Sequence, residues 1–332
     1  MTHTDLFSGG IMYVKLQRHG LIVGVVAGAL ALSACGNSDN SGTGNGQQLS
    51  GSVKVDGSST VAPLSTAAAE LFQQEQPKVQ VTVGTSGTGG GFEKFCNGET
   101  DISDASRRIK AEEKKACAAK NLEFSELVVA NDALTVVVSQ ENTWAECLTV
   151  DQLKKVWAPD SKINSWSQVD PKFPNEPLKL FGPGTDSGTF DYFTAEINGK
   201  EGASRKDYSA SENDNVIVQG VSGSKGGLGY FGYTYFEENA SKLKAVKIDG
   251  GSGCVEPSAA TVQDGTYTPL ARPLFVYPSL AAMKRPEVAA FVEYYTTNDE
   301  AIAKDAKYVP LNETQRGELK TAYQALKAKA GS

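Results

Sequence analysis

The sequence predicts an α/β fold in which strands alternate with helices around a mainly parallel sheet. Three observations lead there. A strand, a loop of Gly, Ser and Thr, and a helix follow one another at residues 52–74, again at 79–95, and a third time around 178–198. Residues 134–138 (LTVVV) form a continuous apolar run, the pattern of a strand buried on both faces. The balance of 40% hydrophobic and 21% charged residues over 332 positions is that of an ordinary globular chain with room for two domains.

The chain opens with an export leader. Lys15, Arg18 and His19 precede an apolar run at 21–32 that ends in Leu32-Ser33-Ala34-Cys35. A basic region, a short apolar core and small residues mark a signal peptide, with the wrong length and flanks for a spanning helix. Its ending resembles the bacterial lipobox, in which Cys35 would be lipidated and become the first mature residue; Met12 offers a second start. Residues 1–35 are thus expected to be a lipoprotein signal, and 36–50 (GNSDNSGTGNGQQLS) a flexible tether. Both histidines, His3 and His19, fall in the leader. That leaves the mature chain no Ser-His-Asp or Cys-His catalytic unit and no His-ligated zinc. A net charge of −7 argues against nucleic acid as a partner. Four cysteines remain beside Cys35: Cys96, Cys117, Cys147 and Cys254. An even number in an exported chain without CxxC spacing points to two disulfides and not to a metal site. Three pairings are possible; Cys96–Cys117 with Cys147–Cys254 is the expected one, closing one short local loop and one long loop.

Residues 52–56 alternate as a strand, Pro63 suits the first turn of a helix, and apolar positions 64, 68, 71 and 72 share one helical face. A strand at 79–83 runs into the loop 84–91 (GTSGTGGG) and a helix carrying Phe92 and Phe95. A short strand within 101–109 leads to a charged helix at 110–120, and 128–139 reads as a strand pair around Asn131-Asp132. From about Glu141 a second lobe begins. An amphipathic helix covers 150–157, a loop 161–177, a helix reaches Asn198, and 216–222 is helical. Residues 226–235 (GGLGYFGYTY) read as strand and turn, 244–248 and 274–277 as strands, and 286–296 and 313–329 as helices.

The stretch 182–193 (GPGTDSGTFDYF) carries the chemistry. Where a strand hands over to a helix, unsatisfied N–H groups and the positive end of the dipole favour an anion, and hydroxyls add donors. The loop at 84–91 is no P-loop, because the Gly-Lys-Ser/Thr ending is missing. Ser59/Thr60, Ser86/Thr88, Ser106/Arg107 and Ser187/Thr189 all fall at strand ends opening onto helices, which in α/β sheets is where ligands bind. Arginine is scarce beyond the leader. Arg107 follows a candidate hydroxyl and ranks first as the charged donor, Arg205 second, and Arg272, beside Pro273, third.

With these residues assembled, the chain resembles the phosphate-binding lipoproteins of bacterial ABC-type phosphate uptake systems over nearly all of 51–330. The resemblance rests on DGSSTVAP at 56–63, GTGGGF at 87–92, residues 101–109 and 182–193, GYFGY at 229–233, and 273–277. It implies a two-lobed periplasmic binding protein fold (type II), each lobe a mainly parallel sheet flanked by helices. Lobe 1 would comprise 51–140 and 268–332, and lobe 2 would comprise 141–267. The lobes would close on one inorganic phosphate, and the closed monomer would dock on a membrane permease, outside the cytoplasm and held by its lipid. The resemblance implies Ser59 and Thr60 as ligands at the first helix, Ser86, Gly87 and Thr88 at the second, and Asp186, Ser187, Gly188 and Thr189 from the other lobe. It departs from the pattern twice: Ser106 stands where relatives place a proton-accepting aspartate, and Pro183 where they place an arginine. Arg107 or Arg205 would then supply the charge. No cofactor and no catalysis are implied; an exported phosphatase-like enzyme, or a binding protein for sulfate or another oxyanion, are the alternatives.

Overall fold

The computed structural model describes residues 48–331, apart from Asp186 and Glu212. The signal segment with Cys35, residues 36–47 of the tether, and the expected ligand Asp186 lie outside the described residues.

β1 (Gly51–Gly57) alternates as its sequence does, with Val53 and Val55 buried and Lys54 exposed. α1 (Ala62–Glu75) begins with Pro63 in its first turn and turns Leu64, Ala68 and Phe72 inward. β2 (Val79–Gly84) lies parallel to β1, α2 (Gly87–Cys96) follows, and β3 (Ile102–Ala105) joins the other side of β1, again parallel. The expected Cys96–Cys117 disulfide ties α2 to α3 (Ala111–Ala119). β4 (Leu127–Ser139) is one strand of 13 residues and not a pair around Asn131-Asp132. Those residues stay in the strand because distant partners satisfy them. Asn131 exchanges side-chain hydrogen bonds with Gln315 (3.0 and 3.1 Å), and Asp132 accepts one from Arg272 (3.2 Å).

β5 (Cys147–Thr149) passes into α4 (Val150–Trp157) through a reciprocal Thr149–Gln152 cap. The expected loop at 161–177 contains one short helix, α5 (Trp166–Val169), which buries Trp166. β6 (Lys179–Gly182) feeds α6 (Gly188–Asn198), which ends at Gly199 in the left-handed region. β7 (Ser209–Ala210), α7 (Asp214–Ser222) and β8 (Gly227–Gly232) follow, and the aromatic run continues as a helix, α8 (Tyr233–Asn239), where a turn is expected. Residues 244–248 divide between β9 (Leu243–Ala245) and β10 (Lys247–Asp249). β11 (Cys254–Val255) carries the second expected disulfide, Cys147–Cys254. α9 (Ala259–Gln263), β12 (Ala271–Pro278), α10 (Pro286–Thr297), α11 (Asp299–Asp305) and α12 (Glu313–Ala330) complete the chain.

The result is an α/β architecture. Its main sheet runs β2-β1-β3-β12-β4-β8-β6-β7, with β9 also on β4, and β11-β10-β5 form a small second sheet. β2, β1 and β3 are parallel at one end, and β8, β6 and β7 at the other; β12 and β4 run against their neighbours between them. β4 serves both ends, since residues 127–133 pair with β12 and 134–139 with β8 and β9. Two large apolar cores and two smaller clusters follow among the described residues, and the large ones divide the sheet. One joins Val53, Phe72, Ala130, Leu274 and Phe291; the other joins Ala133, Trp157, Phe193, Tyr230 and Leu270. The core changes within three residues of β4, across the polar pair Asn131-Asp132.

Candidate functional site

The turns after β1, β2 and β3, and the start of α6, meet in a cleft of about 710 Å³. Its floor is built by the turn from β1 to α1. Ser58 donates its N–H to the Asp104 carbonyl (2.9 Å), and its hydroxyl accepts the Thr60 N–H (3.2 Å). Gly57, at φ 147°, makes this possible, because a Cβ there would collide with that same carbonyl. α1 and α2 begin without a side-chain cap and without an acidic residue in the first turn. The first N–H groups of α2 and the dipoles of both helices therefore remain available to an anion, whereas at α1 the Ala62 and Leu64 N–H groups are bonded to the carbonyls of Ser58 and Val61 and Pro63 has none. α6 is different: the Ser187 hydroxyl accepts the Thr189 N–H (3.2 Å), and Asp191 lies in its first turn.

The cleft brings Ser59, Thr60, Gly87, Thr88, Ser106, Arg107 and Gly188 together. The Thr88 hydroxyl accepts the Ser106 N–H (3.2 Å) and lies 3.1 Å from the Ser106 hydroxyl, so the turns after β2 and β3, on either side of β1, present a joined pair of hydroxyls. Gly188 closes on Thr60, and a Cβ on it would come within 3.0 Å of the Thr60 hydroxyl. Ser187 and Thr189 lie beyond this seam, lining an adjoining cavity of about 250 Å³ with Ser59, Thr60 and Asp132. Ser86 is next to the cleft, but both its N–H and its hydroxyl are bound to Asp56, which also pairs with Lys94 (2.8 Å).

The arginines are distributed differently from expectation. Arg205 is buried elsewhere, donating to the carbonyls of Val156 and Ile163 (2.9 Å each) and holding Asp207 at 2.7 and 2.8 Å. Every side of its fork is filled by local groups, so it pins the chain after α6 to α4 and does not reach the cleft. Arg107 lines the cleft rim, with its guanidinium paired to both oxygens of Glu113 (2.9 and 2.8 Å). Arg272, from β12, reaches the centre. It donates to Asp132 (3.2 Å) and to the Thr60 hydroxyl (3.2 Å), and it lies 3.5 Å over the Tyr192 ring. Asp132 is buried, which raises its carboxyl, and the Arg272 guanidinium pulls against that rise.

Charge divides the two walls. Arg107, Arg108 and Lys110 line one side, and Asp191, Glu196 and Glu201 the α6 side. Burial raises the carboxyls of Asp191 and Glu196, with Glu201 adding to the first. No spacing signal in the sequence marked these acids as cleft residues; only the placement of α6 opposite α1 and α2 does so. The arrangement suits a small oxyanion: the open N-terminus of α2, the dipole of α1, converging hydroxyls and one planar cation at the base.

Residues 38–299 match the PBP superfamily domain. Among curated proteins, the chain is 50% identical to Protein SphX of Synechococcus elongatus over 262 residues, covering 78% of this chain and 77% of that one. It is 40% identical to the phosphate-binding protein PstS of Staphylococcus saprophyticus over 290 residues, covering 86% and 88%. Among solved structures, a possible phosphate binding protein from Planctomyces limnophilus superposes with a TM-score of 0.80 at 51% identity, covering 84% of this chain and 99% of that one. An ABC-type phosphate transport receptor from Vibrio cholerae shares the fold, with a TM-score of 0.60 at 20% identity over 78% of this chain and 100% of its own. The chain belongs to the PBP superfamily, among the PstS phosphate-binding proteins.

Proposed function

We propose that the cleft binds inorganic phosphate outside the cytoplasm and that the loaded protein delivers it to the permease of an ABC transporter. The observation that carries this reading is the meeting of the uncapped starts of α1 and α2 with Thr60, Thr88, Ser106 and Arg272 in one cleft. The relatives named as phosphate-binding supply the ligand's identity. Arg272 takes the charged role expected of Arg107 or Arg205, and Ser187, Gly188 and Thr189 approach from the far wall. The change of core across Asn131-Asp132 in β4 and between Leu270 and Leu274 supports a two-lobed division, with the break in β4 short of the expected 140/141 boundary. Lobe closure would then bring α6 onto the anion. Cys35 would carry the lipid that holds the protein at the membrane, and the protein would act as a monomer.

Ser187 does not support the phosphatase alternative, since its hydroxyl caps α6 and both histidines fall in residues 1–35. Deleting the gene tests the transport role. Phosphate uptake at limiting phosphate is expected to fall and to return with the wild-type gene; unchanged uptake would leave a binding protein without a transport function.

A further inference from the structure

Among the described residues, three carboxyls are almost fully buried: Asp104, Asp132 and Asp299. Arg272 pairs with Asp132 and Arg316 with Asp299, but no cation pairs with Asp104. Asp104 sits near the end of β3, wholly hidden from solvent. One carboxyl oxygen accepts the Ser65 hydroxyl of α1 (2.9 Å), and the other has no partner. The titratable groups facing it are Asp56 of β1 and Tyr295 of α10, whose hydroxyl lies 3.3 Å from that of Ser65. Burial raises Asp56, but Lys94 and Ser86 hold it below the usual carboxylate range, so it stays charged and repels a second charge at Asp104. Burial also keeps Tyr295 protonated, with Asp104 adding to the effect. Burial first, and Asp56 further, push the Asp104 carboxyl up to about 8 against the opposing pull of Ser65.

The main chain of the same residue holds the phosphate cleft. Its carbonyl takes the Ser58 N–H, its pairing beside Gly57 in the β1–β3 ladder fixes the turn into α1, and Ser106 lies two residues on. We propose that Asp104 is a positioning residue that supports the Ser58–Thr60 turn as a neutral carboxylic acid, and that its ionisation weakens phosphate binding. A negative charge held by Ser65 beside the start of α1 would repel the anion and compete with it for the same helix dipole. In a site shielded from water that competition is poorly screened. The inference rests on the reading of the cleft as a phosphate site.

The test is calorimetric titration of phosphate into the full-length wild type and Asp104→Asn, at about pH 7 and about pH 9.5, on either side of the raised carboxyl. Asparagine keeps the shape of the neutral acid and cannot ionise. Comparing the two proteins at each pH cancels the titration of phosphate itself. Near-equal affinities are expected at the lower pH, with the variant at least tenfold tighter at the higher one. An affinity ratio that does not change with pH would overturn the proposal. If the variant fails to fold, carbon-13 NMR of the aspartate carboxyls in the wild type decides. One aspartate is expected to titrate above pH 7 and to move higher when phosphate is added; titration of every aspartate in the acid range would overturn the role of Asp104. A wild type that gives no phosphate heat at the lower pH would refute the phosphate reading instead.

Discussion

Replacing Arg272 separates its role in the site from its role in the fold. Its guanidinium donates one bond to Asp132 and one to the Thr60 hydroxyl and lies 3.5 Å over the Tyr192 ring, and the side chain is about one-fifth exposed. Arg272→Lys keeps the charge but loses the planar fork that can hold Asp132, Thr60 and an oxyanion together. A hydrogen bond to a charged group contributes about 1.5–3 kcal/mol, and about 1.4 kcal/mol is a factor of ten in affinity. Phosphate affinity is therefore expected to fall about ten- to a hundredfold in Arg272→Lys. Arg272→Ala goes further, because it leaves Asp132 buried and unpaired, which costs about 3–5 kcal/mol of stability. Combining Arg272→Ala with Asp132→Asn should recover much of that stability and none of the affinity. Arg205→Lys serves as the contrast: it loses stability with the carbonyls of Val156 and Ile163, and phosphate affinity stays at the wild-type level. Calorimetric titration and urea denaturation on the four proteins measure both effects. Wild-type affinity in a folded Arg272→Lys, or an equal loss in Arg205→Lys, would refute the assignment of Arg272 to the anion.

Three further outcomes follow from the same geometry. Glu196→Gln removes a carboxylate from the α6 wall and is expected to tighten phosphate binding a few-fold at low ionic strength; because burial raises this carboxyl, acidification should relieve the wild type earlier than it would an exposed glutamate. Weaker binding in this variant would show that the carboxylate assists closure. Cys254→Ser opens a loop spanning 107 residues and should cost more stability, about 4–5 kcal/mol in the chain-entropy account, than Cys117→Ser, about 3 kcal/mol, whose loop spans 21. Urea denaturation showing the reverse order would contradict that account. Cys35→Ala is expected to release the protein from the membrane fraction on cell fractionation, and retention there would remove the lipid anchor.

Much of the site was legible because its chemistry is local. Gly, Ser and Thr between a strand and a helix place N–H groups and hydroxyls wherever such a unit folds, so Thr60, Thr88 and Ser106 could be named from spacing. The disulfides were legible for a similar reason, since only three pairings exist. The place of Arg272 at the base of the cleft is not legible in the sequence, because its partners are remote: Asp132 is 140 positions away and Thr60 is 212. The burial of Arg205 outside the cleft is equally illegible, because scarcity of arginine says nothing about whether carbonyls such as those of Val156 and Ile163 will fill its fork. The same limit explains β4, where Asn131-Asp132 has the composition of a turn and remains strand because Gln315 and Arg272 arrive from distant segments. α8 is the converse case, an aromatic run with strand propensity that packs as a helix against β4 and β8.

Titration of the purified protein with phosphate, and separately with sulfate, tests the central claim most directly. The account predicts one saturable phosphate site of about micromolar affinity or better, corresponding to roughly 8 kcal/mol, and that affinity should fall in Thr60→Val and Thr88→Val. It also predicts weaker binding of sulfate, which brings no proton to a cleft that already carries Asp191, Glu196 and Glu201. No phosphate binding at millimolar concentration would contradict it.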